Sequence, residues 1–160
     1  MYPDKYVLEK YGIEIIEKQR FCVVTANSLE SINFQSAVFR DPVQIVLYTR
    51  ASFSHTLPVI QSDSFEFDGI RKGCEGLGMG EAKTVCLECG ATLFNVLIQE
   101  GQVPDFLFLT VLEGDDDREY LAGELDMVGI DRCFRVVHES TVTRNSEGEW
   151  KMRVYQRIEA

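Results

Sequence analysis

Histidines and recognisable catalytic motifs are scarce in this sequence. The chain has two histidines, His55 and His138, among its 160 residues. An enzyme that transfers protons or activates a nucleophile near neutral pH would naturally use a histidine. No glycine-flanked serine of the nucleophile-elbow type is present, and we interpret His138 as an ordinary strand histidine. The sequence therefore contains no complete set of catalytic residues.

Long apolar runs are also missing. No stretch reaches the roughly 18 apolar residues that a membrane-spanning helix requires. The first residues, MYPDKYVLEKYG, lack the basic and then apolar order of a signal peptide. We expect a soluble, cytoplasmic protein with no membrane association.

The chain has fewer basic than acidic residues. Lys and Arg number 16 against 26 Asp and Glu, so the formal net charge is −10. Binding to a phosphate backbone needs clustered Lys and Arg that displace counterions, so nucleic acid and anionic membranes are excluded as partners. A strongly acidic chain favours a partner with a basic surface.

The five cysteines are odd in number and scattered along the chain. We expect them to be reduced thiols, because a chain of this size does not need disulfides for stability. Cys86 and Cys89 have the spacing of half a zinc site, but no second pair accompanies them. The sequence therefore predicts no metal site.

Composition and periodicity predict one α+β domain over residues 1–160. Strands are expected in the segments GIEIIEK, RFCVVTA, RDPVQIVLYTR and DFLFLTVLEG, and LPVIQSDSFEFDGI is expected to form one more strand or two short ones. Residues 28–40 and 119–130 fit either helix or strand. At the end of the chain, RCFRVVHESTVTR and EWKMRVYQRIEA predict a β-hairpin around the turn NSEG. Its second strand would place Trp150, Met152, Val154 and Ile158 on one face and Lys151, Arg153 and Arg157 on the other.

Residues 81–100 predict one long buried helix. Their polar members recur at spacings of three and four and make one narrow stripe: Thr84, Glu88, Thr92, Asn95 and Gln99. Apolar residues cover the rest of the circumference, which is typical of a helix surrounded by protein. Gly101 and Pro104 follow as stop signals. The predicted architecture is a largely antiparallel, curved sheet packed around this helix.

Three glycines alternate immediately before the predicted helix, in the segment GCEGLGMGEAKT. A glycine-rich turn that leads into a helix can hold a phosphate, because its backbone N–H groups and the helix N-terminus favour an anion. The candidate cofactor-binding residues are Gly76, Gly78, Gly80, Lys83 and Thr84. The Walker A spacing is not met, because Leu77 and Ala82 stand where that pattern requires glycine. We interpret the glycines first as a tight turn into the helix and second as a phosphate site.

With the elements that follow it, the GLGMG segment resembles the acyl-CoA N-acyltransferase superfamily over residues 63–160. The resemblance implies that Gly76, Gly78 and Gly80 hold the pyrophosphate of coenzyme A. Gly73 and Glu75 depart from that pattern, because the family places a basic or amide residue at the first position and the carboxylate of the second would repel a phosphate. The tyrosine that the family often supplies is replaced by Leu125, with Tyr120 nearby.

The segment EGDDDRE forms an acidic turn. Asp115, Asp116 and Asp117 lack the ligand spacing of a calcium loop, so we interpret them as a solvated turn and as candidate partner-binding residues. The first functional hypothesis is a non-enzymatic protein, such as an inhibitor, immunity or chaperone-like factor, that binds a protein partner with a basic surface. The alternative is an N-acyltransferase-like enzyme or an anion-binding domain that uses coenzyme A at the glycine segment. A homo-oligomer fits both hypotheses.

Overall fold

The computed structural model describes residues 9–10, 20–26, 28–35, 39, 44–52, 54–77, 84–113, 124–145 and 148–159. The chain divides into two compact units, Met1–Cys89 and Gly90–Ala160, and each unit is described by itself. The expectation of one domain over residues 1–160 stays a prediction. The predicted strand over residues 12–18 lies outside the described residues.

The first unit contains a parallel sheet of four strands in the order β3-β2-β1-β4. Its strands are β1 (Arg20–Thr25), β2 (Gln44–Thr49), β3 (Val59–Gln61) and β4 (Thr84–Glu88). Strand β1 pairs in parallel with both β2 and β4, and β2 pairs in parallel with β3. The predicted strands are therefore confirmed at β1 and β2, whereas the segment 57–70 forms a strand only at Val59–Gln61 and is helical from Phe67 onward. The parallel pairing was not predicted.

Strand β2 lies at the core of this unit. Five consecutive residues from Ile45 to Thr49 are buried, so side chains on both faces of the sheet are covered. Burial on both faces is the usual condition of a parallel strand, and it explains why the segment QIVLYT reads as a continuous apolar run. Thr49 is the buried polar residue of the strand, and its hydroxyl oxygen accepts the N–H of Ala51 at 3.0 Å.

Helix α1 (Phe67–Gly76) packs against strand β3. Ile70 and Cys74 are its buried residues. Gly73 allows a close approach, because a Cβ built at this position would lie 2.7 Å from Ile60 Cδ1. On the exposed side of the helix, hydrogen bonds from Lys72 and Arg71 lower the pKa of Asp68 to about 2.

The prediction of a single helix over residues 81–100 is wrong. Thr84–Glu88 is strand β4, and the helix α2 covers only Ala91–Gln99. A parallel strand with apolar residues on both faces has no period-2 pattern, so it cannot be distinguished from a buried helix by apolar content. Thr84 and Glu88 belong to the strand, but they are four residues apart, a spacing that matches the polar residues of helix α2. They therefore looked like part of the same polar stripe.

The end of helix α2 agrees with the sequence. Gly101 has a positive φ of 77°, a conformation that glycine adopts without steric cost. The N–H of Gly101 donates to the carbonyl of Ile98, and the N–H of Gln102 donates to that of Leu97. These hydrogen bonds satisfy carbonyls of the last helical turn. The start of the helix, at Gly90, was missed because the apolar run continues upstream of it.

The second unit contains an antiparallel sheet. Its strands are β5 (Phe106–Glu113), β6 (Phe134–Glu139), β7 (Thr143–Asn145) and β8 (Gly148–Arg157). Strand β8 pairs with the other three, and a bulge between Val136 and His138 interrupts its pairing with β6. The predicted C-terminal hairpin is confirmed by the pairing of β7 with β8, but its first strand is divided into β6 and β7, and Cys133 is helical. Trp150, Met152 and Val154 alternate with Lys151, Arg153 and Arg157 along β8, whereas Ile158 lies beyond the strand and is exposed.

Helix α3 (Met127–Cys133) precedes β6 directly and contacts both α2 and β6. In the ambiguous segment 119–130, the helix begins at Met127, residues 124–126 are neither helix nor strand, and residues 119–123 lie outside the described residues. In the other ambiguous segment, 28–40, the described residues include a short 3₁₀ helix at Leu29–Ser31. No helix within the described ranges has the length and apolar composition needed to span a bilayer.

The protein is thus of mixed α/β type, with one parallel and one antiparallel sheet. The expectation of a single, largely antiparallel sheet is correct only for the second unit. Parallel strands must be joined by crossover connections. The parallel pairing was missed because the predicted helix covered the residues that form the fourth parallel strand.

Candidate functional sites

The glycine segment does not lead into a helix. Gly76 is the last residue of helix α1 and is exposed, and the segment ends at Thr84, the first residue of strand β4. The phosphate argument required a helix N-terminus after the glycines, so that premise is wrong. Gly78, Gly80 and Lys83 lie outside the described residues, and their proposed role in cofactor binding stays a prediction.

The acidic turn also lies outside the described residues. Asp115, Asp116 and Asp117 follow strand β5, whose last residue is Glu113. Their role in binding a partner stays a prediction.

The cysteines are free thiols in the structure. Cys86 lies within strand β4, and Cys89 immediately follows that strand. The two cysteines, which are separated by two residues, are therefore not on a helix, contrary to the prediction. Burial raises the pKa of the Cys89 thiol to about 11, helped by the nearby charges of Glu88 and Cys86. Burial raises the pKa of Cys74 as well. Within the ranges that the structure describes, no three His, Cys, Asp or Glu side chains are placed to hold a metal ion.

The connections that follow β1, β2 and β3 in the first unit carry aromatic and basic side chains that contact one another in pairs. The connection after β1 includes Phe34, the one after β2 includes Arg50 and His55, and the one after β3 includes Phe65. Open parallel sheets generally bind small molecules outside the carboxyl ends of their strands, where the strand order reverses, and in the order β3-β2-β1-β4 that point lies between β1 and β4. We call these four residues the carboxyl-edge cluster.

His55 connects the first two loops. Its ring stacks on that of Phe34, with 4.7 Å between ring centroids and an interplanar angle of 10°. The backbone N–H of Leu57 donates to Nδ1 of His55 at 3.1 Å. Since Nδ1 is the acceptor, the neutral ring carries its proton on Nε2. The imidazole is thus fixed in position and tautomer, with Nε2–H as its remaining donor.

Arg50 connects the second and third loops. It follows β2 directly and is exposed, with its guanidinium 5.2 Å from the ring centroid of Phe65. Such a cation–π contact orients the guanidinium without using its N–H donors. The third loop is held in turn by Tyr48, whose ring lies 5.0 Å from that of Phe65 and whose hydroxyl donates to the carbonyl of Ser64 at 2.7 Å.

Of the exposed large apolar residues in the second unit, Val142 lies on the connection after β6, and the other five lie on helix α3 or on elements that contact or hydrogen-bond to it. Val128, the most exposed of them, has 70% of its surface accessible. The others lie on the helix itself or on elements that contact or hydrogen-bond to it: Val96 on α2, Met127 on α3, Val136 on β6, and Ile158, whose N–H donates to the carbonyl of Cys133. We call these five residues the α3 surface.

Asn95 holds the start of helix α3 against helix α2. Its side-chain N–H₂ donates to the carbonyl of Glu124 at 2.8 Å, and its side-chain oxygen accepts the N–H of Asp126 at 2.9 Å. The Asp126 carboxylate then caps the helix by accepting the N–H of Gly129 at 2.9 Å. The α3 surface is therefore presented by a fixed element.

A charged cluster lies on the antiparallel sheet. Glu139 accepts a hydrogen bond from Arg153 Nε and lies 3.2 Å from Lys151 Nζ. Hydrogen bonds from these two cations lower the pKa of Glu139. Because the carboxylate pairs with both cations, the cluster stabilises the pairing of β6 with β8, and we assign it a structural role.

No protein-family model and no curated protein matches the chain. Function is therefore inferred from the sites themselves. Sequence reasoning missed both the carboxyl-edge cluster and the α3 surface. The former depends on parallel pairing between distant segments. For the α3 surface, the sequence contains a local signal of the helix start: Asp126 is of a residue type that often caps helices, and it stands three positions before Gly129.

Proposed function

We propose that this is a soluble, cytoplasmic protein that acts without catalysis by binding a protein partner with a basic surface, and that the α3 surface is where the partner docks. The observation that carries the proposal is the concentration of exposed apolar side chains around one short helix. Soluble monomers rarely expose contiguous apolar area without a function, and such patches often mark protein interfaces.

The charge distribution favours a basic partner for this unit. Residues 90–160 contain 14 Asp and Glu against seven Lys and Arg, a net charge of −7, while residues 1–89 contain 12 against nine, a net charge of −3. An acidic surface accelerates association with a basic one by electrostatic steering. Charge would thus raise the rate of association, and apolar burial at α3 would supply affinity.

Rigidity of the surface supports the same proposal. The hydrogen bonds of Asn95 and the cap at Asp126 fix helix α3 before any partner arrives. An interface that is ordered in advance loses less conformational entropy on binding than one that orders on contact. Met127 and Val128 occupy the first turn of this fixed helix.

The proposal is tested by affinity capture from an extract of the cells that produce the protein, followed by quantitative mass spectrometry. The variant Val128→Arg places a cation in the α3 surface, and Leu77→Arg places one at an exposed apolar residue of the other unit. We expect a captured protein with a high isoelectric point that Val128→Arg loses and Leu77→Arg retains. Binding of the same purified protein is then measured by calorimetry at two salt concentrations.

A further inference from the structure

We propose that Cys22 and Cys86 form a reversible disulfide between the parallel strands β1 and β4, which makes this pair an oxidation site of the first unit. The two residues are partners in the register of these strands. The structure holds both as thiols, so it describes the reduced form. The pair belongs to the first unit and the α3 surface to the second, and neither proposal depends on the other.

The register places the two side chains next to each other. Partners in a parallel pair point to the same face of the sheet, because side chains alternate between the two faces along each strand. Neighbouring strands lie about 4.8 Å apart. This spacing is within the range of about 4.4–6.8 Å that separates the Cα atoms of disulfide-bonded cysteines. Cys22 and Cys86 therefore meet the first geometric requirement of a disulfide.

The other close pair in the sequence, Cys86 and Cys89, does not meet this requirement. Leu87 and Glu88, the two residues between them, are both in strand β4. Three residues of strand span about 10 Å, which exceeds the limit of about 7 Å beyond which a disulfide needs backbone movement. Cys86 is thus placed to react with its partner on β1 and not with the cysteine that is nearest in sequence.

Cys86 is the thiol of the pair that an oxidant reaches first. Its side chain is partly exposed, and its Sγ donates to the carboxylate of the exposed Glu88 at 4.0 Å. Cys22, by contrast, is completely buried. Oxidation therefore begins at Cys86, and Cys22 reacts only with a sulfur that is already bound to Cys86.

A small disulfide such as glutathione disulfide supplies the oxidising equivalents. The Cys86 sulfur attacks one sulfur of the oxidant, the S–S bond breaks, and one glutathione leaves as a thiol with the Cys86 proton. The Cys22 sulfur then attacks the Cys86 sulfur and displaces the second glutathione, which takes the Cys22 proton. Two protein thiols are thereby oxidised to one disulfide, and one glutathione disulfide is reduced to two thiols.

Strand β4 can make the small movement that closure requires. The Cβ atoms of a disulfide lie about 3.8 Å apart, so β4 has to approach β1 by about 1 Å at this point. Among the described strands, β4 pairs only with β1, whereas β1 is held on both sides. A disulfide formed under such strain is reduced more easily, as is typical of transient disulfides in a reducing compartment.

The test is disulfide mapping of the reduced native protein after equilibration in glutathione buffers with increasing oxidised fraction. After an acid quench and alkylation of the remaining thiols, mass spectrometry identifies the linked peptides. We expect a protein lighter by two hydrogen atoms, with the link between Cys22 and Cys86 at least about tenfold more abundant than any other, because thiols held side by side react fastest. Dithiothreitol should restore the starting mass, and the oxidised protein should keep a cooperative melting transition.

Matched variants separate the two steps. Cys22→Ala should lose the link and retain glutathione on Cys86, because the sulfur that displaces it is missing. Cys89→Ala should form the link as the wild-type protein does. The proposal is overturned if the native wild-type protein yields no link between Cys22 and Cys86 in the most oxidising buffer, if this link is no more abundant than in the urea-unfolded chain, or if Cys89→Ala abolishes it.

Discussion

The side chain of Asn95 on helix α2 accepts the backbone N–H of Asp126 at 2.9 Å, across 31 residues of sequence. The same amide group donates to the carbonyl of Glu124 at 2.8 Å. One side chain therefore satisfies two backbone groups at the start of helix α3. This connection holds the start of helix α3 to helix α2.

Replacing Asn95 by Ala should lower the free energy of unfolding by about 1–3 kcal/mol, because it leaves two backbone polar groups without their partner. Urea denaturation measures the change. Gln99→Ala is the matched control, since Gln99 is an exposed polar residue of the same helix, and it should change stability by less than about 0.5 kcal/mol. Equal effects of the two substitutions would contradict the assigned role of Asn95.

Gly73 and Gly76 should respond in opposite directions to substitution by Ala. A methyl group at Gly73 meets the Ile60 side chain at 2.7 Å, whereas one at Gly76 has no neighbour within 4 Å. We expect Gly73→Ala to destabilise the protein by about 1 kcal/mol. Gly76→Ala should be neutral or stabilising by up to about 1 kcal/mol, because Ala restricts the unfolded chain.

The variant Ile60→Val, which shortens the opposing side chain, should partly rescue Gly73→Ala in a double-mutant cycle by urea denaturation. If Gly73→Ala were as stable as the wild-type protein and showed no coupling to Ile60→Val, the close packing of α1 on β3 would be wrong.

The Cys89 thiol should resist alkylation near neutral pH. Burial raises its pKa from 9.0 to about 11, and the thiolate is the reactive form. At pH 8 we expect iodoacetamide to modify Cys89 about 100-fold more slowly in the native protein than in the urea-unfolded chain, since two pKa units change the thiolate fraction by that factor. Mass spectrometry of the peptide that contains Cys89 gives both rates.

The same pKa shift affects stability at alkaline pH. The native state retains the Cys89 proton that the unfolded state loses above about pH 9, so this contribution to stability is present below pH 9 and is lost as the pH rises towards 11. The melting temperature should therefore fall more steeply over this range in the wild-type protein than in Cys89→Ala. Parallel curves for the two proteins would contradict the shift.

Coenzyme A should leave the melting temperature unchanged in a thermal-shift assay. The glycine segment ends at strand β4, so no helix N-terminus follows it to stabilise a pyrophosphate. A ligand that binds the native state raises the melting temperature by mass action. A rise with coenzyme A that disappears in Gly78→Ala would support the N-acyltransferase resemblance and contradict our interpretation.

The sequence predicted best where a local signal marks an element, such as alternation along a strand or a glycine at the end of a helix. The alternation along β8 identified Trp150, Met152 and Val154 as one face, and Gly101 identified the end of α2. It failed at β4, which looked helical because this short segment shows no alternation and is soon followed by the apolar residues of α2. The α3 surface was not predicted, because a periodic pattern does not show which apolar side chains remain uncovered after folding.

The α3 surface is tested most directly by calorimetric binding of the captured basic partner to the wild-type protein, Val128→Arg and Leu77→Arg. All three proteins must first show the same melting temperature. We predict that Val128→Arg weakens binding at least about 30-fold, or about 2 kcal/mol, as expected at the centre of an interface, while Leu77→Arg binds like the wild-type protein. Capture of no basic protein, or equal affinity for Val128→Arg and Leu77→Arg, would contradict the proposal that α3 is the docking surface.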